Sequence, residues 1–177
     1  MSLILFGFKR CGKTFYGKQL AEELDMPFID TDALIELKSR QTVSQLYNAF
    51  GEEHFRCLEK AVVHSLNPKK PSIISLGAGA VLNPDNLVHL QSIGLLTYLK
   101  TPKSILKKRI FSSPPLPSYL DSSDPQHAYE TMYVKRLPIY ESIPSAVINT
   151  CSKNDNEILQ ELKNLLLNAP WINAHYG

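Results

Sequence analysis

The chain has 177 residues, with 19 lysines and arginines against 17 aspartates and glutamates, for a formal net charge of +2. That length suits one domain with a full hydrophobic core, so residues 1–177 read as a single unit. The near-balanced charge signals no basic face for nucleic acid or an anionic membrane, and apolar runs of about six residues fall far short of the roughly 20 needed to span one. The expected partner is a small molecule. Cys11, Cys57 and Cys151 are odd in number and lack metal-ligand spacing, which argues against a disulfide framework and fits a reducing, cytoplasmic setting.

The first apolar run, residues 3–6, lacks the basic leader and the length of a secretion signal and reads as a buried strand. Gly7-Phe8-Lys9-Arg10-Cys11-Gly12-Lys13-Thr14 follows it and precedes a helical pattern over residues 16–24. This is the G-x-x-x-x-G-K-[ST] spacing in its required setting, strand before and helix after. Its glycines let the backbone fold into a nest of N–H groups, and the helix N-terminus adds its positive end. Lys13 is placed to reach the β- and γ-phosphates and Thr14 to ligate a magnesium ion between them.

A second strand over residues 27–29 leads into Asp30-Thr31-Asp32. Alternation in an extended segment points both carboxylates the same way. One would hold water on magnesium and the other would receive a proton from an attacking hydroxyl, unless Asp32 simply caps the next helix. A helical insertion over residues 33–66 contains the capping-box sequence Thr42-Val43-Ser44-Gln45. It also contains Gly51-Glu52-Glu53-His54-Phe55-Arg56-Cys57-Leu58-Glu59. Arg56 and Glu59 share a helical face there, either as an exposed ion pair or as a carboxylate orienting an anion-binding guanidinium. His54 reads as a surface residue.

The third strand, residues 72–76, ends in Gly77-Ala78-Gly79, a run of small residues that serves equally as a turn or as a close approach for a ligand. Asn83-Pro84, Thr101-Pro102 and Asp124-Pro125 place proline at first helical positions around a fourth strand over residues 95–99. Residues 112–123 are rich in serine and proline and interrupt the alternation of elements. Beyond them Lys135-Arg136-Leu137-Pro138-Ile139-Tyr140 lies on a helix that Pro138 must kink or restart, leaving Arg136 either aimed inward or on a solvated basic face. A fifth strand at residues 146–148 and a helix over 154–167 close the pattern, the latter with Ile158, Leu159, Leu162, Leu165 and Leu166 inward. The tail, residues 170–177, carries an exposed-looking Trp171 and Tyr176. Strands alternating with helices predict an α/β fold with a five-stranded parallel sheet between helical layers. The insertion (about 33–66) and a lid (about 110–123) would stand over the strand ends.

In this order the motifs resemble the shikimate kinase family of P-loop folds. That family's pattern is a P-loop, D-[ST]-D, G-E-x-x-F-R-x-x-E, a triple-glycine turn, and R-x-P-x-Y beyond a lid. The resemblance implies transfer of the ATP γ-phosphoryl group to the 3-hydroxyl of shikimate by a cytoplasmic, magnesium-dependent monomer. It also implies nucleotide contacts from Gly7, Arg10, Cys11, Gly12, Lys13, Thr14, Phe15, Arg109 and Lys153. Shikimate contacts would come from Asp32, Arg56, Ala78, Gly79 and Arg136, metal contacts from Thr14 and Asp30, and catalysis from Lys13 and Asp32. Three departures stand out: Arg10 replaces a usual glycine, the turn reads Gly-Ala-Gly, and Ser113-Pro114-Pro115-Leu116 lacks the arginine common before Pro-Leu. Arg10, Lys107 or Lys108 would then have to supply the missing charge, and Arg10→Ala should lower turnover sharply. Competing readings are a kinase of another hydroxy acid such as gluconate, and a nucleotide-binding protein with reduced catalysis.

Overall fold

In a computed structural model, residues 1–120 and 123–168 are described. Two residues of the proline-rich segment and the tail with Trp171 and Tyr176 lie outside them. Five parallel strands, β1 (Ser2–Phe6), β2 (Phe28–Asp30), β3 (Ile73–Ser75), β4 (Gly94–Lys100) and β5 (Ala146–Asn149), form one sheet in the order β2-β3-β1-β4-β5. Leu3, Ile4 and Leu5 of the central strand have no solvent exposure. Each such side chain contributes about 1.5–3 kcal/mol by leaving water. A strand buried on both faces is the mark of a parallel sheet covered by helices on each side.

The helices are α1 (Lys13–Glu23), α2 (Thr31–Ser39), α3 (Val43–Ser65), α4 (Pro84–Ile93), α5 (Lys103–Phe111), α6 (Pro125–Ser142) and α7 (Asp155–Leu167). Their starts follow cap chemistry. Thr42 and Gln45 form a reciprocal capping box on α3, and Asn154 and Glu157 form another on α7. Asn83 and Asp124 accept from the first N–H groups of α4 and α6. On α7, Ile158, Leu159, Leu162 and Leu166 are buried and Leu165 partly so.

Two local expectations change and two are made definite. Helix α2 begins at Thr31, because the Asp30 carboxylate accepts from Asp32 N and Ala33 N at 3.0 and 3.3 Å. The cap is therefore Asp30, and Asp32 lies in the first helical turn rather than in an extended segment. Residues 33–66 divide into two helical elements at Arg40, which takes a left-handed conformation (φ 57°), and α3 starts from the capping box expected at Thr42. Pro102 precedes α5 instead of opening it. Finally, α6 runs through Pro138 without restarting.

Order reverses at β1, whose neighbours are β3 and β4. In an open α/β sheet this switch point, at the carboxyl ends of the strands, is where a ligand crevice opens.

Candidate active site

The loop after β1 builds one half of the site. It ends at Gly12 (φ 106°), directly before Lys13 opens α1, so loop N–H groups and the helix end converge as an anion nest. The Lys13 ammonium curls back over its own loop and donates to the carbonyls of Gly7 and Phe8, both at 3.0 Å. Thr14 Oγ1 donates to Asp30 Oδ2 at 2.8 Å and lies 3.4 Å from Ser75 Oγ, which gathers oxygens from the ends of three elements. Arg10, Gly12, Lys13, Thr14, Phe15 and Asp30 line a cleft of ≈ 410 Å³ here. Cys11 is fully buried, with its Sγ 3.8 Å from the Lys13 ammonium.

Two further contacts tie this loop to the rest of the chain. Arg10 Nη2 donates to the Ser113 carbonyl at 3.3 Å, and Arg109 Nη1 donates to the Arg10 carbonyl at 3.1 Å. Arg10 thus bridges the loop and the proline-rich segment. Lys153 is committed elsewhere, paired with Glu161 at 2.6 Å, and lines neither cleft. The expectation that it faces the nucleotide finds no geometric counterpart.

Side chains from the insertion build the other half, a cleft of ≈ 190 Å³. Helix α3 bends at Gly51, whose φ of 79° is non-helical, and the segment beyond it carries Arg56 inward. Arg56 bonds Glu59 Oε2 through Nη1 at 2.8 Å and Glu52 Oε1 through Nη2 at 2.9 Å. Glu59 is only 2% exposed, so this is a buried pair and not the surface pair that spacing alone allowed. Burial alone would lower the Arg56 pKa, but Glu59, Tyr47 and Glu52 together outweigh that and hold the guanidinium more firmly charged than usual. Burial pushes the Glu59 carboxyl upward, with Arg56 opposing.

Both glycines of the turn leave room for these side chains, which would have to shift to admit a Cβ. A Cβ at Gly79 would lie 2.0 Å from Arg56 Nη1, and one at Gly77 would lie 2.4 Å from Asp32 Oδ1 and 3.0 Å from Glu59 Oε1. Between them Ala78 is tolerated, and its carbonyl accepts a short hydrogen bond from the fully buried Tyr140. Arg136 reaches the same cleft from α6, its guanidinium 5.4 Å from the centre of the Tyr119 ring. That contact spans α6 and the proline-rich segment. Two buried polar atoms around the cleft, Glu59 Oε1 and Tyr119 Oη, have no partner within the described residues. Buried polar atoms are ordinarily hydrogen-bonded, so these two are exceptions.

Lys9, Asp32 and Ala78 line both clefts. Burial raises the Asp32 carboxyl above its ordinary range; Lys9 opposes this most strongly, Asp30 adds to it, and Lys13 also opposes it. Of the residues expected from sequence, Asp30, Thr14 and Lys13 gather on one side, Arg56, Gly79 and Arg136 on the other, and Asp32 stands at the junction. Lys9, Tyr47, Tyr119 and Tyr140 were missed as site residues. Lys9 occupies a position that the P-loop spacing leaves free, and the tyrosines reach the site only through tertiary packing.

A nest of N–H groups after a central parallel strand, joined to a second cleft that holds a hydroxyl-directed carboxylate and two arginines, defines a P-loop kinase of small molecules. Residues 9–167 match the shikimate kinase family profile, and the chain belongs to that family. The chain is 34% identical to a shikimate kinase of Caldanaerobacter subterraneus subsp. tengcongensis, over 91% of this chain and 93% of the relative. Among solved structures it resembles a shikimate kinase from Acinetobacter baumannii in complex with shikimate, with a TM-score of 0.83 and 28% identity over 94% of this chain and 92% of that one. It also resembles the shikimate kinase of Aquifex aeolicus, with a TM-score of 0.79 and 25% identity over 100% of both chains. All three cysteines are free, and among the described residues no helix is long and apolar enough to cross a membrane.

Proposed function

We propose that this protein transfers the γ-phosphoryl group of ATP to the 3-hydroxyl of shikimate, giving shikimate 3-phosphate and ADP. The observation that carries the reading is the shared wall of Lys9, Asp32 and Ala78 between the two clefts, which supports a donor phosphate and an acceptor hydroxyl meeting at one carboxylate. Family membership supplies the substrate names.

The P-loop amides and Lys13 take the β- and γ-phosphates. Arg56 and Arg136 take the acceptor carboxylate; a planar guanidinium matches its two oxygens, and Glu59 holds Arg56 in place. The backbone of Ala78 and Gly79 and the Asp32 carboxylate take the vicinal hydroxyls. In the transfer the bond from γ-phosphorus to the βγ-bridging oxygen breaks, and ADP leaves with the electron pair. A bond forms between γ-phosphorus and the acceptor oxygen, whose proton passes to Asp32. Positioning does most of this work, because the transition state is loose and needs alignment and neutralised charge.

A magnesium ion fits the chain's own donors: the Thr14 hydroxyl and Asp30 carboxylate, 2.8 Å apart at the mouth of the nest, are hard oxygens suited to it. When bound it would neutralise charge on the β- and γ-phosphates. Because one chain lines both clefts, the reading needs no partner subunit, and we place the enzyme as a monomer in the cytoplasm. Gluconate remains the alternative acceptor, and it too carries one carboxylate. ADP release measured with shikimate and with gluconate separates them: ADP formation that depends on shikimate supports the reading, and none would remove it.

A further inference from the structure

The proline-rich segment over the site, residues 112–123, contains no lysine or arginine. Charge on the phosphoryl group in flight must therefore be met from elsewhere. The nearby cations are largely engaged. Arg56 is paired with Glu52 and Glu59, Lys107 lies 3.1 Å from Glu130, and Arg10 donates to the Ser113 carbonyl on the exposed rim. Arg136 is stationed over Tyr119, in the acceptor cleft alone. Lys13 is the P-loop lysine, assigned to the phosphates already.

Lys9 differs from all of these. It is the cation that borders both clefts, and among the described residues its ammonium has no hydrogen-bond or ion-pair partner. Its presentation has a local cause. The preceding Phe8 is buried, stacked on Tyr133 with ring centres 4.5 Å apart and edge-on to Tyr140 at 4.7 Å. That anchor fixes the loop backbone just before Lys9, whose side chain borders the crossing point.

We propose that Lys9 is a catalytic cation, its ammonium meeting the equatorial oxygens of the γ-phosphoryl group as that group passes from the nucleotide cleft to the acceptor cleft. This rests on the kinase reading above and adds no proton transfer to it. A cation aimed at charge that develops between two ligands strengthens the transition state more than either ground state. Lys9 therefore acts on turnover and not on affinity, and it takes the part that sequence reasoning offered to Arg10, Lys107 or Lys108.

Lys9→Met and Lys9→Gln remove the charge, and Lys9→Arg keeps it. Each is compared with wild type for kcat, both KM values, melting temperature, and equilibrium binding of ADP, of shikimate, and of ADP with shikimate and aluminium fluoride, a mimic of the transferring group. The expected result for both neutral variants is a kcat lower by about 10²–10³-fold with each KM within about threefold. They should also lose the extra affinity for the aluminium fluoride complex, while Lys9→Arg recovers most of the turnover. Wild-type kcat in a folded neutral variant, or a raised shikimate KM at unchanged kcat, overturns the role of Lys9 and leaves the kinase reading intact. If wild type itself forms no ADP with shikimate, the kinase reading fails and the Lys9 role fails with it.

Discussion

The two halves of the site are built from different materials. The nucleotide half is mostly backbone: a six-residue turn and the first amides of α1, supported by Lys13 and Thr14. The acceptor half is mostly side chains, drawn from α2, α3, the Gly-Ala-Gly turn, the proline-rich segment and α6. Phosphate is common to many substrates and is met by main-chain donors that any sequence with the right turn can offer. A particular hydroxy acid is recognised by charges and rings, which the chain must bring together from distant positions.

The largest effect that would sharpen this contrast is at the junction. Asp32→Asn should lower kcat by about 10²–10⁴-fold, the usual yield of a positioned proton acceptor, with substrate affinities little changed. The same variant should melt at higher temperature near neutral pH. A carboxyl whose folded pKa is raised contributes stability that is present below its unfolded pKa and lost as pH rises through the folded value. Removing the charge therefore recovers stability at neutral pH and should change little at a pH below the ordinary carboxylate range. Equal melting curves at both pH values would contradict the cost assigned to that buried charge.

Next is the side-chain half. Arg136→Ala should raise the shikimate KM by about 10–100-fold, as expected for losing a charged hydrogen bond of 1.5–3 kcal/mol, and leave the ATP KM within about threefold. Gly79→Ala should act on the same parameter without touching any charge, because its methyl group would occupy the space of the Arg56 guanidinium. Arg56→Ala is the poorer probe: it strands Glu59, and breaking a buried pair costs about 3–5 kcal/mol of stability. If Gly79→Ala changed the ATP KM instead, the division between the halves would fail.

The smallest effects lie at the margins. Arg10→Ala, which loses one hydrogen bond to Ser113 on the exposed rim, should reduce kcat by no more than about fivefold, in line with about 1 kcal/mol for such a bond. Lys153→Ala should be neutral in steady-state kinetics, since its partner is Glu161 and exposed pairs contribute about 0–1 kcal/mol.

The same division explains what could be read before folding was known. The P-loop was legible because its geometry depends on neighbours in sequence: a strand, a tight turn and a helix start. The five strands and most caps were legible for the same reason. Asp32 borders both clefts by a different route from the expected one, since Asp30 capping moves it from an extended segment into α2. For Arg56 the three-residue spacing gave the ion pair but not its burial, which depends on where the turn after β3 passes. Tyr119 over Arg136, and Tyr140 on Ala78, join residues 17 and 62 positions apart. No local pattern encodes such meetings. Arg136 and Lys153 were both cations named through a family likeness, and only packing separates the one that lines the acceptor cleft from the one held by Glu161.

The hydroxyl of Tyr140 shows how far such a distant meeting reaches. It holds the Ala78 carbonyl toward the core, and in a planar trans peptide the following N–H must point the opposite way. The amide of Gly79, a residue that lines the acceptor cleft, therefore points away from the Tyr140 hydroxyl, its direction set by a phenol on another helix. Tyr140→Phe would leave every lining side chain in place and yet release one main-chain donor to rotate. The stereochemistry of recognition, meaning which face of a ring its hydroxyls must occupy, would in this sense be written into a residue that lines neither cleft.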